Sequence, residues 1–276
     1  QLPDLIRADE YLDVIGGSAG CIAALLSLYA CAPSEPTLAA ALQCGDHLLK
    51  HARAQSQGIG WVIKNEQVPL AGMVHGNAGI TLNLLRLWEV SKEERFHEAA
   101  LAALAYERSL FSPTHHNWPD LRTPSSSEPQ TDENDSYMVA WCHGAAGIGL
   151  ARLGALSYHD DAATRAEVYE AVQALLAEGF GRNHSLCHGD MGNLETLLTA
   201  TQLLPELYAW EKVGPLQSSL LQSMDEHGWR GGMPMEVETP GLMLGLAGTG
   251  YALLRQAAPE RVPSVLLLAP PELEAS

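Results

Sequence analysis

The stretch AWCHGAAGIGL, Ala140–Leu150, decides the fold because its frame is not unique. Gly144-Ala145-Ala146-Gly147 has the form Gly-x-x-Gly. The same form returns at Gly17-Ser18-Ala19-Gly20, Gly76-Asn77-Ala78-Gly79, Gly189-Asp190-Met191-Gly192 and Gly245-Leu246-Ala247-Gly248. One such tetrapeptide means little, but five along one chain are an internal repeat. The segments after the frames are also alike: Cys21 to Tyr29, Ile80 to Trp88, Ile148 to Tyr158, Asn193 to Leu204 and Thr249 to Gln256 are apolar with few charges. Apolar residues cover most of the circumference there, which predicts helices buried on all sides.

Between these segments the pattern changes. Leu38, Ala41/Leu42, Gly45 and Leu48/Leu49 recur at helical spacing, as do Val168, Ala171/Val172 and Leu175/Leu176, and Leu216, Leu220 and Met224. Each set has one polar face, so these helices belong on the outside. Buried and amphipathic helices alternating five times predict an all-α fold, an α/α toroid of inner and outer helices with the Gly-x-x-Gly turns at one mouth. The glycines allow close backbone approach where the chain enters each inner helix. Strand signals are almost absent, and Val262 to Leu268 (VPSVLLL) is expected to form a short strand or a tail laid on the surface. Residues 112–136, with four prolines and the polar run SSSEPQTDENDS, interrupt the pattern as one long surface loop. Nothing else resembles a linker, so residues 1–276 form one domain.

Bulk properties narrow the function. Sixteen Lys and Arg against 33 Asp and Glu leave a net charge of −17, the wrong sign for nucleic acid or an anionic membrane. No apolar run approaches the ~20 residues of a membrane span. No basic n-region with an apolar stretch opens the chain. The start QLPDLIRADE lacks Met, which is expected of a piece of a longer protein. Five scattered cysteines, Cys21, Cys31, Cys44, Cys142 and Cys187, are not a disulfide framework and favour a reducing cytoplasm.

The repeat register concentrates reactive side chains. Immediately ahead of the frames stand Gly16, His75, His143, His188 and Leu244; one place earlier stand Ile15, Val74, Cys142, Cys187 and Met243. In a toroid these positions share one mouth, and Asp13, three residues before Gly16, should reach the same rim. Two Cys and a His converging there fit Zn2+ with an open fourth position. The competing reading makes Cys142 and Cys187 ordinary buried cysteines. Zinc ligated by two thiolates is a weak acid for water but leaves a bound thiolate nucleophilic. Addition of that sulfur to an α,β-unsaturated carbonyl gives an enolate that needs a proton, which His75, held by Asp13, can supply. Asp190 is expected to cap a turn, and His115, His116, His184 and His227 to be structural or solvated.

The segments LDVIGGSAG, AGMVHGNAGI, AWCHGAAGIGL, SLCHGDMGN and PGLMLGLAGTGYALLR, with NWPDLR and PERVPSVLLLAPP, resemble the lanthionine synthetase cyclase family. The likeness is greatest to the C-terminal cyclase domain of class II bifunctional synthetases and extends from about Asp4 to Pro271. It implies a zinc toroid in a bacterial cytoplasm that closes lanthionine and methyllanthionine thioether rings. In such rings a Cys of a dehydrated ribosomal precursor peptide adds to dehydroalanine or dehydrobutyrine. By motif position it implies metal ligation by Cys142, Cys187 and His188, catalysis by His75 and Asp13, and site-lining roles for Trp141 and His143. An Arg that some relatives carry four residues before the first ligand is Met138 here. The resemblance also implies an N-terminal dehydratase domain outside this chain, for which no phosphate-binding glycine motif is present. A prenyltransferase-like zinc toroid would need a basic diphosphate pocket, and a toroid glycosidase would need paired carboxylates; neither is visible. A non-catalytic peptide-binding toroid and an enzyme adding glutathione to dehydroamino acids stay open as alternatives.

Overall fold

The computed structural model describes the chain except residues 123–136, 209 and 271–276. Ten α-helices dominate the described residues: α1 (Leu2–Arg7), α2 (Ser18–Cys31), α3 (Glu35–His51), α4 (Asn77–Ser91), α5 (Glu94–Ser109), α6 (Ala145–Ala155), α7 (Ala162–Glu178), α8 (Asp190–Leu203), α9 (Trp210–His227) and α10 (Leu246–Ala257). A two-residue antiparallel hairpin, Arg53–Ala54 with Ile59–Gly60, is the only sheet among them.

The first glycine of every frame is the residue that starts an inner helix: Gly17 for α2, Gly76 for α4, Gly144 for α6, Gly189 for α8 and Gly245 for α10. The second glycine has a steric reason. A Cβ on Gly79 would lie 2.0 Å from the carbonyl oxygen of Met73, and one on Gly147 would lie 1.9 Å from that of Trp141. In each case the chain six residues upstream folds back onto the first turn. Backbone bonds hold it there, as from Gly79 N to Gly72 O (3.4 Å) and from Gly147 N to Ala140 O (3.1 Å). A short loop therefore wraps each inner helix N-terminus and presents the residues just ahead of the frame at one end of the ring.

Around the ring α2 packs on α4, α4 on α6, α6 on α8 and α8 on α10, while α3, α5, α7 and α9 lie outside. Complete burial of side chains such as Ile148, Leu150 and Leu153 drives this closure, at about 1.5–3 kcal/mol each. Helices α4, α6 and α8 are enclosed as expected. Helices α2 and α10 are not: Leu28, Leu246 and Leu254 are exposed, and among the described residues each of these two packs closely on one inner helix, at an end of the row. Leu176 of α7 is also exposed, unlike its partner Leu175.

The segment 262–268 corrects the expectation of a strand or surface tail. It forms turns, and Leu266 and Leu267 are buried. Its carbonyls are claimed by inner-ring side chains: Arg86 Nη1 donates to Leu267 (2.7 Å), Ser27 Oγ to Leu268 (3.1 Å) and Trp141 Nε1 to Leu266 (3.2 Å). The apolar run is core filling, which a seven-residue pattern does not distinguish from a strand. Of the expected loop 112–136, Ser112 pairs with Asn117 across a tight bend, and residues 123–136 lie outside the described residues.

Candidate metal centre and proton-handling pair

The loops ahead of the inner helices are laced together by their backbones. Val14 N donates to Val74 O (3.0 Å), Cys142 N to Cys187 O (3.3 Å) and Cys187 N to Met243 O (3.0 Å). Between the second and third loops Gly72, at φ 126°, lets the chains approach so closely that a Cβ there would lie 2.7 Å from the carbonyl oxygen of Cys142. The residues at the register positions are thus neighbours around one mouth.

On one side lie Cys142, Cys187 and His188, whose donor atoms all fall within 4.8 Å of one another. No other group of three or more His, Cys, Asp or Glu among the described residues is arranged to hold a metal ion. His188 Nε2 lies 3.0 Å from the carbonyl of Gly232. A carbonyl only accepts, so Nε2 carries the proton and Nδ1 keeps the lone pair that a metal requires. Gly232 is small for a reason: its Cβ would come within 3.0 Å of that nitrogen. The Cys142–Cys187 hydrogen bond lowers the Cys187 thiol below its ordinary range. The same bond, together with burial, raises Cys142. Two thiols sharing a proton beside an imidazole are a soft, three-donor set that fits a zinc ion with one position left open.

On the other side, His75 Nδ1 lies 2.7 Å from Asp13 Oδ2. The second oxygen of Asp13 accepts from Gly16 N (2.8 Å). Asp13 is buried while the His75 side chain is one-third exposed (33 %), so the acid anchors and the imidazole faces the opening. With Nδ1–H committed to the carboxylate, Nε2 is the nitrogen that can exchange a proton with a bound molecule. His143 joins the two sides, its ring stacked on that of His75 with centroids 5.5 Å apart. Burial lowers its pKa to about 4, which keeps it neutral. Trp141 is buried, with its indole turned down to Leu266.

Sequence reasoning did not find what holds the His75 loop in place. Glu107 of α5, fully buried, accepts from Gly72 N and Ala78 N through Oε1 (2.9 Å each) and from Arg152 Nη2 through Oε2 (2.8 Å). Arg152 of α6 continues to Glu167 of α7 (2.6 Å), which receives Arg108 as well (2.6 Å). The signal was present: Glu107 sits on the apolar stripe Phe96, Ala99, Ala100, Ala103, Leu104, and Arg152 is the lone charge in the α6 run. A charge at a core position needs a buried partner. Asp190 caps the preceding loop, accepting from Gly181 N and Arg182 N (3.1 Å each). Buried His184 takes a structural role, accepting from Arg230 N (3.1 Å).

A family model described as lanthionine synthetase C-like protein matches residues 2–267. The chain belongs to this family. This lanthionine synthetase C-like chain is 29% identical over 199 residues to the lacticin 481/lactococcin biosynthesis protein of Lactococcus lactis subsp. lactis. The match covers 68% of this chain but 20% of that protein, so the chain spans about a fifth of that relative's length. Among solved structures it is similar to nisin cyclase, with a TM-score of 0.70 at 18% identity over 97% of this chain and 70% of that one. It also resembles cellobiose 2-epimerase from Bacillus thermoamylovorans B4167, with a TM-score of 0.56 at 10% identity over 76% and 60%. These likenesses establish the helical toroid. That an epimerase shares it means that the ring alone does not select a chemistry, and the side chains at its mouth must.

Proposed function

We propose that this domain closes thioether rings in a dehydrated ribosomal precursor peptide, with zinc held by Cys142, Cys187 and His188. One observation carries the reading: a soft three-donor cluster shares one mouth with an Asp–His pair anchored on buried Asp13, the two joined through the His75–His143 stack. Zinc bound there would supply deprotonation of an incoming thiol at neutral pH. The reaction joins the sulfur of a peptide Cys to the β-carbon of dehydroalanine or dehydrobutyrine. The alkene electrons move onto the adjacent carbonyl oxygen, and the α-carbon then takes a proton. His75 Nε2 receives the thiol proton and returns it to the α-carbon. Asp13 fixes the ring with Nδ1–H toward the carboxylate and stabilises the imidazolium between the two transfers. Neutral His143 packs against that ring, and Trp141 supports the Cys142 turn from beneath.

The substrate must already contain dehydroamino acids, so a dehydratase domain or partner acts before this one. No helix among the described residues is long and apolar enough to cross a membrane. Five free thiols, with Cys142 and Cys187 required as such, support a reducing cytoplasm as the working compartment.

The test combines metal content with a thiol count. Incubated with a dehydrated precursor, the zinc-loaded chain is expected to consume the peptide's free cysteines with no change in peptide mass, read by alkylation and mass spectrometry. Tight peptide binding with all thiols retained would make the domain a binding module. Consumption of added glutathione in preference to the peptide's own thiols would redirect the reaction to intermolecular addition.

A further inference from the structure

Ring closure as proposed leaves one approach to the mouth unused: a groove of about 620 Å³ on the outside of the ring, between α7 and the chain at 114–117 and 137–139. Its floor is one stripe of α7. Glu170, Gln173, Ala174, Ala177 and Glu178 follow at helical spacing on a single face, and the two alanines keep the middle of that face low. The stripe runs eight residues, about 12 Å at the rise of a helix. Aromatic rings line the groove. Tyr137 is stacked on His115 with centroids 3.9 Å apart at 12°, and His115 Nδ1 is tied to Ser112 Oγ (2.9 Å). Tyr169 lines it as well, half-exposed. The wall is braced by Asn117, whose Nδ2 donates to the carbonyls of Tyr137 (3.3 Å) and Met138 (3.0 Å).

The groove ends at the mouth. Asn193, at the start of α8, donates through Nδ2 both to Val139 O (2.9 Å) and to Gly179 O (2.6 Å). This ties the Glu178 end of the stripe to the chain that runs into Cys142. Val139 lies three residues ahead of Cys142, so their Cα atoms are at most about 11 Å apart. The groove is also acidic. A carboxylate stands at each end of the stripe, and α7 carries no Lys or Arg after Arg165. At the far end His116 Nδ1 meets Glu170 Oε2 (2.8 Å), and at the near end Glu178 is exposed. Carboxylates beside aromatic faces attract an ammonium or guanidinium group, and the cavity has the size of a ligand site.

We propose that this groove seats a basic stretch of the precursor peptide, its Lys or Arg side chains pairing with Glu178 and Glu170 while the reacting cysteine of the same peptide lies at the mouth. The distances set a register. An extended chain advances about 3.3 Å per residue, so the basic positions fall about three and about seven residues from that cysteine. The inference rests on the ring-closing function proposed for the domain, and it adds no covalent step.

The test uses the whole zinc-loaded chain and three dehydrated precursor peptides. One has Lys at the third and seventh residues before its reacting cysteine, one has them after it, and one has Gln at all four places. Ring closure gives KM, and fluorescence anisotropy with the cysteine replaced by serine gives Kd without chemistry. One of the Lys peptides is expected to show KM and Kd about 2–30-fold below those of the Gln peptide, the worth of two part-exposed ion pairs. Added salt should shrink that advantage. In Glu170→Gln/Glu178→Gln it should vanish. In Glu35→Gln/Glu98→Gln, which removes the same charge from exposed positions on α3 and α5, it should stay. Equal Kd for Lys and Gln peptides, an advantage that survives in Glu170→Gln/Glu178→Gln, or one lost in both variants alike would each overturn the inference while ring closure stands. Wild-type dimers that dissociate only in Glu170→Gln/Glu178→Gln, with peptide binding unchanged, would give the groove to a second copy of the chain and overturn it too. A wild type that consumes no thiols yet binds a Lys peptide through Glu170 and Glu178 would overturn the functional reading and leave the groove as a peptide site.

Discussion

The two sides of the mouth are built on one backbone device and carry opposite chemistry. Ahead of α6 and α8 the register positions hold Cys142, Cys187 and His188, polarisable donors within 4.8 Å of each other. Ahead of α2 and α4 the same turn holds Asp13 and His75, a hard acid–base pair joined at 2.7 Å. The loops share one close approach because the second glycine of each frame admits the upstream carbonyl, whichever residues precede it, although Gly144 turns at φ 80° where the other four first glycines are extended. A repeated scaffold thus fixes where side chains go, and a change of two side chains per repeat decides what they do. The division of labour proposed above, metal on one side and protons on the other, can be broken by substitution.

The largest effect is expected on the metal side. Cys142→Ala or Cys187→Ala should remove the about one zinc per chain expected of a three-ligand site, and with it all measurable thioether formation. Elemental analysis and thiol alkylation check both. On the other side, His75→Asn should keep the metal and lower kcat by about 10²–10⁴-fold, the usual worth of general acid–base catalysis. Asp13→Asn should fall in the same direction by no more than that, because the imidazole remains. Zinc lost from His75→Asn would collapse the comparison into a single shared site.

The toroid was legible because glycine spacing survives as geometry: all five frames begin an inner helix. The Cys142, Cys187, His188 cluster and His75 were legible for the same reason, since a register position in the sequence is a place on the rim, and Asp13 was legible because it lies three residues before the register position Gly16. Features that do not repeat escaped. VPSVLLL looked like a strand or surface tail because burial inside a ring depends on inner-helix side chains such as Arg86 and Ser27, far away in sequence. The exposure of α2 and α10 reflects their place at the ends of the row, which apolar composition does not encode. Glu107 escaped because one more acid in an amphipathic helix that also carries Glu94 and Glu98 is usually read as surface.

Glu107 sharpens the contrast, for it staples the loop on the His75 side. Its carboxylate holds Gly72 N and Ala78 N, the two ends of the loop that carries His75, against Arg152. Glu107→Gln leaves a buried guanidinium short of its counter-charge and is expected to destabilise the domain by about 3–5 kcal/mol in chemical denaturation. A loss below ~1 kcal/mol would mean that Glu167 alone satisfies Arg152. Glycines give a smaller, graded version of the same test. Gly79→Ala drives a Cβ to 2.0 Å from Met73 O and should be strongly destabilising, whereas Gly250→Ala, in α10 with nothing within 4 Å, should stabilise by about 0.5–1 kcal/mol.

The smallest effect separates two thiol pairs. Cys21 and Cys44, facing each other from α2 and α3, resemble Cys142 and Cys187 in that one thiol is lowered and one raised. The hydrogen bond from Cys44 brings Cys21 to about 7, and the same bond with burial raises Cys44. They differ in lacking a third donor: the metal-type cluster among the described residues is at Cys142, Cys187 and His188. In the zinc-loaded protein, alkylation of Cys21 should therefore rise with pH through a midpoint near 7, because only the thiolate reacts. Cys142 and Cys187 should stay protected until a chelator is added, and Cys44, fully buried, should stay protected throughout. Peptide mapping after iodoacetamide at several pH values reads all four. If Cys142 and Cys187 alkylate as readily as Cys21 with zinc present, their third neighbour, His188, confers nothing that the Cys21–Cys44 pair lacks, and the distinction between the two thiol pairs is lost.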